Sequence, residues 1–140
     1  MVIKNSCKYL FLMWFGGSAY VTFEVFARQR SHVSMFLLAG FIFIVVGLLN
    51  ELWDWDTSLI AQIIVGTCIA TLGEFLCGCV VNIWLQLNIW DYSGQWGNIL
   101  GQICPLFTLI WVPLILLAII LDDVLRWKFF GEEKPHYRIL

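Results

Sequence analysis

Four long apolar stretches divide the chain, and short polar or glycine-containing segments separate them. They cover about residues 8–27, 34–52, 58–87 and 98–121. A helix needs about 20 mostly apolar residues to cross the hydrocarbon core of a bilayer. The pattern therefore predicts an all-α fold, a four-helix transmembrane bundle. The third stretch exceeds the length of one crossing, which predicts a long third helix that tilts, kinks or protrudes.

The third stretch also carries a small or polar residue at every fourth position. These residues, here called the stripe, are Gln62, Gly66, Ala70, Glu74, Gly78 and Asn82. At this spacing side chains wind slowly along one side of a helix, and small residues let another helix approach closely. We therefore predict that the stripe faces protein or water. It also offers a surface to a second copy of the chain, which predicts a homo-oligomer, with a dimer favoured.

Glu74 lies near the middle of that stretch, where a carboxylate costs at least about 2.5 kcal/mol to insert. Such a residue predicts a substrate-binding or ion-binding site, with Asn82 and Gln62 lining the same stripe. The alternative is a structural glutamate that ties helices together by hydrogen bonds, with Asn82 or Gln62 as its partner. The residues alone leave both interpretations open.

Glu24 and Arg28 stand one helical turn apart, late in the first stretch. An i,i+4 pair of opposite charges is a common structural device on a helix. The functional alternative is that the pair guards one entrance to a polar cavity shared with Glu74. We carry both residues as candidate substrate-binding or ion-binding residues.

The segment between the third and fourth stretches combines aromatic, acidic and glycine residues. Its candidate gate residues are Trp90, Asp91, Tyr92 and Ser93. The two rings are expected at the level of the lipid headgroups, while the acidic and hydroxyl side chains can hold a turn. Gln102 is predicted to open the fourth helix, with Asn98 as its cap. Pro105 and Pro113 predict a kink there that frees carbonyls to line a polar site.

Other residue sets suggest chemistry, but each has a simpler structural explanation. Four oxygen-bearing residues surround the end of the second stretch: Asn50, Glu51, Asp54 and Asp56. They could attract a hard cation, although solvated helix-capping acids fit the spacing better. Cys77 and Cys79 diverge on a helix, which argues against a metal site. Ser93, His32 and Asp91 lack a nucleophile motif, so we predict no enzyme, cofactor or metal.

Composition and charge add the class of protein and its orientation. Of the 140 residues, 61% are hydrophobic and 13% are charged, and the mean hydropathy is +0.84. Soluble domains are about 45–50% apolar and about 25% charged. We therefore predict one integral membrane domain over residues 1–140, in contact with the lipid bilayer. With a net charge of −2 and no basic stripe, no nucleic-acid partner is expected.

Four crossings place both termini on one side of the membrane. The positive residues expected on that side are Lys4, Lys8, Arg126, Lys128, Lys134 and Arg138. Only Arg28 and Arg30 lie in the loops on the other side. The positive-inside rule then predicts that both termini are cytoplasmic and that residues 122–140 form a short cytoplasmic tail.

Several sequence blocks resemble a family of small bacterial membrane proteins labelled putative ABC-transporter type IV. The blocks are residues 30–40, residues 47–51, Trp-Asp-Tyr-Ser at 90–93, Gly-Gln-Ile-Cys at 101–104 and Asp-Asp at 122–123. The resemblance implies a permease subunit in the bacterial inner membrane. The chain lacks a phosphate-binding loop of the Walker type, so ATP hydrolysis would require a separate ATPase or another membrane subunit.

The residues and the resemblance together predict a permease-like protein that handles a small solute or ion around Glu74. The alternative is a non-transporting scaffold, or a lipid-contacting subunit of a larger complex. In that case the stripe would only join helices.

Overall fold

The computed structural model describes the backbone of residues 2–140 and the side chains of residues 5–140. The helices are α1 (Val2–Arg28), α2 (Val33–Gly47), α3 (Leu49–Leu52), α4 (Leu59–Gly78), the π-helix (Cys79–Trp84) and α5 (Pro105–Phe130). Four segments are long and apolar enough to cross a membrane: 5–28, 33–52, 59–84 and 105–130. The predicted all-α fold with four transmembrane helices is confirmed.

The third crossing extends past α4 through the π-helix and spans 26 residues. The predicted long third helix is therefore present, although the fourth crossing has the same 26 residues. The Ser58 hydroxyl accepts a hydrogen bond from the Ala61 amide, 3.1 Å away, and so caps the start of α4. Short polar side chains at this position satisfy amides that the helix leaves unpaired.

The predicted limits of the fourth crossing, about 98–121, are wrong at both ends. Residues 98–104 form turns, because Leu100 and Gly101 have positive φ angles of 52° and 70°. Asn98 therefore does not cap α5, and Gln102 lies in the loop instead of opening the helix. Pro105 begins α5, where its missing amide costs no helical hydrogen bond. At the other end, α5 continues past residue 121 to Phe130, so the predicted tail is partly helical.

The middle of the bundle is filled by aliphatic side chains from three helices. This group, here called the apolar layer, is Ile42, Val46, Ala70, Ile115 and Ile119, each at most 3% exposed. Helix α2 contacts α1, α4 and α5, so it lies centrally. Along α2, α4 and α5 the apolar layer lies between polar groups at one end of the bundle and those at the other.

The stripe is buried inside the bundle along its whole length, as predicted. A Cβ atom at Gly66 would lie 2.6 Å from the Ile115 side chain, so α4 and α5 approach closely there. The small residues of the stripe thus serve packing within one chain. They do not provide the surface for a second copy that we expected from the sequence.

Residues 85–104, here called the cap loop, fold back across one end of the bundle. Trp90 and Tyr92 are 3% and 8% exposed, and they pack with Met35 and Val81. Both rings are therefore packed against protein, and their expected position at the headgroup level stays a prediction. Trp96, at 87% exposure, is the ring of this loop that remains outside.

Candidate functional site

Glu74 lies deep in the bundle, 3% exposed, where two aromatic side chains donate hydrogen bonds to its carboxylate. The Tyr92 hydroxyl donates to Oε1 over 3.0 Å, and the Trp111 indole nitrogen donates to Oε2 over 2.9 Å. Helix α4 supplies the acid, the cap loop supplies Tyr92 and α5 supplies Trp111. The site is therefore assembled from three separate parts of the chain.

Two further rings fix the donors in place. The Tyr92 ring stacks on Phe107 with centroids 4.4 Å apart, and the Trp111 ring stacks on Tyr20 with centroids 5.5 Å apart. Both pairs are nearly parallel, with an interplanar angle of 11° in each. Because stacking limits the rotation of each donor ring, Phe107 and Tyr20 help to fix the hydrogen-bond geometry at Glu74.

The Glu74 carboxylate has acceptor capacity beyond these two bonds. A carboxylate offers about four lone-pair positions, and within residues 5–140 only Tyr92 and Trp111 donate to it. Both donors are neutral at neutral pH. The Trp111 indole does not ionise, and burial together with the nearby Glu74 raises the pKa of Tyr92 above its ordinary value. The site can therefore accept a further donor or a cation.

A cavity of about 120 Å³ reaches Glu74 from the end of the bundle that carries the cap loop. This inner cavity is lined by Glu74, Tyr92 and Trp111, and also by Glu24 and Arg28 of α1. Its volume suits a few water molecules or a small solute. Glu24 and Glu74 thus line the same cavity, as one of the two alternatives left open by the sequence requires.

Glu24 and Arg28 form the predicted i,i+4 pair, with 3.0 Å between Arg28 Nη1 and Glu24 Oε1. The Ser31 hydroxyl donates to the other oxygen of Glu24 over 2.6 Å. The pair also lines an outer cavity of about 160 Å³, together with Arg30 and His32. Glu24 and Arg28 therefore line both cavities.

Asn82 and Gln102, both predicted to line the solute site, instead hold the cap loop. Asn82 lies in the π-helix and donates from Nδ2 to Gln102 Oε1 over 2.8 Å. Its Oδ1 accepts from the Ile89 amide over 2.7 Å, and the Trp90 indole donates to the Gln102 carbonyl over 3.0 Å. Because their polar atoms bond to one another, these residues position Tyr92 without facing the inner cavity.

Gln62 is likewise apart from Glu74. Twelve residues of α-helix separate the two, which is about 18 Å along the axis. Gln62 is 1% exposed and donates to the Thr57 carbonyl over 3.4 Å, near the end of the bundle opposite the cap loop. Glu74 is bonded to neither Asn82 nor Gln62, so the predicted polar partners within the stripe are wrong.

Asp91 and Ser93 form a turn on the exposed side of the cap loop. Asp91 Oδ1 accepts from the Ser93 amide over 2.8 Å. Hydrogen bonds from the Ser93 amide and hydroxyl hold the pKa of Asp91 below its ordinary value. His32 bonds Ser34 through Nδ1, at 2.9 Å from the Ser34 hydroxyl. Of the four predicted gate residues, Tyr92 is the one that contacts Glu74.

Sequence reasoning missed Trp111, although it donates directly to Glu74. It lies in a continuous apolar run, where a tryptophan is expected to face lipid as readily as protein. The nearest charged residue on its own helix is Asp122, eleven residues or about three turns away, so local spacing gives no signal. Only the packing of α5 against α4 brings it to the carboxylate.

The sequence also missed a buried ionic cluster at the end of the bundle opposite the cap loop. Asp122 is fully buried and Arg126 is 2% exposed; Asp122 Oδ2 and Arg126 Nε are 2.5 Å apart. Arg126 also pairs with Glu51, and Lys8 pairs with Glu132 over 2.7 Å. The i,i+4 spacing of Asp122 and Arg126 was the available signal.

Asp123 of the same cluster is held by neutral donors. Asn50 Nδ2 donates to Asp123 Oδ2 over 2.5 Å, and the Tyr137 hydroxyl donates to the same oxygen over 2.8 Å. Asp54 and Asp56, which the sequence grouped with Asn50 as cation ligands, are exposed and lie outside this cluster. Lys4 is one of the positive residues that predict the orientation of the chain in the membrane, and its side chain lies outside the described residues.

Comparison with known proteins bears on this arrangement. A family model described as "Putative ABC-transporter type IV" matches residues 8–135. The chain belongs to this family. No curated protein and no solved structure matches the chain. Membership in the ABC-transporter type IV family and four membrane-crossing helices together indicate a membrane protein related to transport.

Proposed function

We propose that the protein is permease-like and handles a small solute or ion at Glu74. The observation that carries this proposal is the inner cavity, which brings space for a solute to a buried carboxylate. A small cation suits the site best, because two carboxylates, Glu24 and Glu74, line the inner cavity against the one guanidinium of Arg28. Glu24 and Arg28 would act at the entrance, between the outer and inner cavities.

On the permease proposal, the structure would be a state in which Glu74 is reached from one side of the membrane. The apolar layer fills the bundle between Glu74 and the ionic cluster. Passage would therefore require α5 to move relative to α2 and α4. Pro113 lies between Trp111 and Ile115 and lacks the amide that would continue the helical ladder. This is a natural place for α5 to bend while Trp111 leaves Glu74.

The cellular setting is part of the same proposal. We place the protein in the bacterial inner membrane as a multi-pass protein with cytoplasmic termini, as the distribution of positive residues predicts. A separate ATPase or other membrane subunit would supply energy, in keeping with the description of the family. A homodimer remains proposed too, although the buried stripe cannot be its interface.

Proteoliposomes with an imposed pH gradient and an internal pH-sensitive dye test the proposal. We expect the wild type to exchange protons for Na⁺ or K⁺, driven by the imposed gradient without the ATPase, and so to dissipate the gradient faster than empty liposomes. Glu74→Asp should retain part of this flux and Glu74→Gln should lose it. Asp54→Asn, which changes an exposed acid outside both cavities, is the matched control and should behave as the wild type.

A second function is favoured by one specific observation, the apolar layer packed between Glu74 and the ionic cluster. A scaffold or lipid-contacting subunit would need no solute route, and Glu74 would then serve to join α4, α5 and the cap loop. In that case every variant would match empty liposomes, while Glu74→Gln would change only the melting temperature. That pattern would argue against the permease proposal.

A further inference from the structure

A further cavity, here called the apolar cavity, lies between α1 and α5 and has a volume of about 190 Å³. The two helices touch through Phe11 and Phe129 near one end, with ring centroids 5.9 Å apart. They touch again through the stacked rings of Tyr20 and Trp111. Along both helices the apolar cavity lies between these two contacts, where Ala118 of α5 leaves space.

The apolar cavity is lined by aliphatic and aromatic side chains and opens to the outside of the bundle. Its inner wall includes Ile42 and Ile115 of the apolar layer. Leu117 and Phe23 also line it, and they are 55% and 48% exposed. The outside of the bundle at this level is the hydrocarbon of the bilayer. Because cavities with such a lining stay dry, the space suits an apolar group.

The apolar cavity is continuous with the inner cavity that contains Glu74. Tyr20, Phe23, Trp111 and Leu114 line both of them. The stacked rings of Tyr20 and Trp111 are thus part of the boundary between the two spaces, and the Trp111 indole donates to the Glu74 carboxylate. Room for an apolar group therefore adjoins a buried acid.

The charges of the inner cavity define the other part of the occupant. Glu24 and Glu74 line the inner cavity against the one guanidinium of Arg28, which leaves negative charge. The faces of Tyr20 and Trp111 also attract cations. A phospholipid fits less well, because its headgroup stays at the membrane surface. Glu74 lies ten residues before the end of its crossing at Trp84, which is about 15 Å along the axis.

We propose that the Glu74 site binds an amphiphilic organic ammonium ion, with one aromatic ring or a short alkyl chain attached to the amine. The ammonium group would lie in the inner cavity beside Glu74, and the apolar group would lie in the apolar cavity. Tyr20 and Trp111 would contact the ligand between its two parts. This inference rests on the proposed function and narrows its solute from a small cation to an amphiphilic one.

Calorimetric titration of the full-length protein in phosphatidylcholine nanodiscs tests the inference, with the signal of empty nanodiscs subtracted. Phenethylamine carries both a charge and a ring, ethylamine keeps only the charge, and phenethyl alcohol keeps only the ring. We expect saturable binding of phenethylamine, at least about tenfold tighter than that of either other compound. Each of them lacks one contribution, the charge-assisted hydrogen bond or the buried ring.

Two variants assign the two parts of the ligand to the two cavities. Ala118→Leu fills the apolar cavity and should weaken phenethylamine binding by about tenfold or more, because the ring can no longer be buried. It should leave ethylamine binding unchanged. Ala61→Leu makes the same change at a half-buried position of α4 that lines neither cavity, and it should bind as the wild type does. Glu74→Gln should weaken the binding of both amines.

The inference and the proposed function fail in different ways. Ethylamine binding as tight as phenethylamine binding, with no effect of Ala118→Leu, would overturn the inference and leave a cation site at Glu74. Phenethyl alcohol binding as tight as that of phenethylamine would overturn it too, because the cavity would then hold hydrocarbon alone. If no amine binds while proton exchange still depends on Glu74, the proposed function stands without the amphiphile. If that exchange is also absent, both are wrong.

Discussion

Glu74 and Asp122, two buried carboxylates at opposite ends of the bundle, are satisfied in opposite ways. Glu74 accepts hydrogen bonds from the neutral side chains of Tyr92 and Trp111. Asp122, at the other end, is paired with the guanidinium of Arg126. A paired carboxylate has its charge compensated inside the protein, whereas a carboxylate held by neutral donors keeps its attraction for a cation. Pairing with a guanidinium suits a structural role, and neutral donors suit the binding of a cation.

The strongest way to break this comparison is to remove the cation from the ionic cluster. Arg126→Met would leave Asp122 as an unpaired buried acid and should cost about 3–5 kcal/mol of stability. The double variant Arg126→Met with Asp122→Leu should recover most of the loss. Thermal unfolding in mild detergent measures both, with the exposed Lys128→Met as control. A double variant no more stable than the single one would contradict a role based on pairing.

A smaller loss is expected at the other end, where the lost donor is neutral. Trp111→Phe keeps the ring but removes the hydrogen bond to Glu74, which should cost about 1.5–3 kcal/mol. In the double variant with Glu74→Gln, the two losses should not add. Trp14→Phe, on the exposed face of α1, is the matched control. Fully additive melting shifts would show that the two side chains are not coupled.

The cap loop can be displaced without touching Glu74. A Cβ atom at Gly78 would lie 3.0 Å from both Gln102 Cβ and the Trp90 ring, so Gly78→Ala should push the loop outward. We expect a loss of about 1–3 kcal/mol and faster proteolysis within residues 85–104. Gly94→Ala, in the same loop with nothing within 4 Å, should change neither. Equal protection of both variants would mean that the loop is not seated on Gly78.

The smallest effect is expected from the exposed turn of the cap loop, and it depends on pH. The pKa of Asp91 is lowered in the folded protein, so its contribution to stability is present above its unfolded pKa. That contribution is lost as the pH falls through the lower folded pKa. Asp91→Ala should therefore melt slightly below the wild type at neutral pH and equal to it in strong acid. A difference that grows in acid would contradict this sign.

The crossings and the burial of the stripe were predictable because both follow from local spacing. A run of about 20 apolar residues is its own signal, and the four-residue spacing of Gly66, Ala70 and Glu74 fixes one helical side. The sequence could also pair Glu24 with Arg28, since an i,i+4 contact needs only a helix. These predictions required no knowledge of which helix packs against which.

The contacts of Glu74 could not be predicted, because its partners lie 18 and 37 residues along the chain. Tyr92 reaches the carboxylate only because the cap loop folds inward. The aromatic residues of that loop predicted a segment at the level of the lipid headgroups instead. The fourth crossing was misplaced for a related reason. Asp122 and Asp123 suggested a helix end in water. Both are buried within α5, because Asp122 pairs with Arg126 one turn later and Asp123 bonds Asn50 of another helix.

The π-helix of Cys79–Trp84 has a consequence for the phase of the third crossing. Residues four apart advance about 40° beyond a full turn in an α-helix, so the row drifts steadily around the axis. A π-turn contains one more residue than an α-turn, so the row of side chains rotates back against that drift. Asn82 is thereby aligned with Gln102 and Ile89. The one extra residue in the π-turn thus decides whether the side-chain amide of Asn82 faces the cap loop or points away from it.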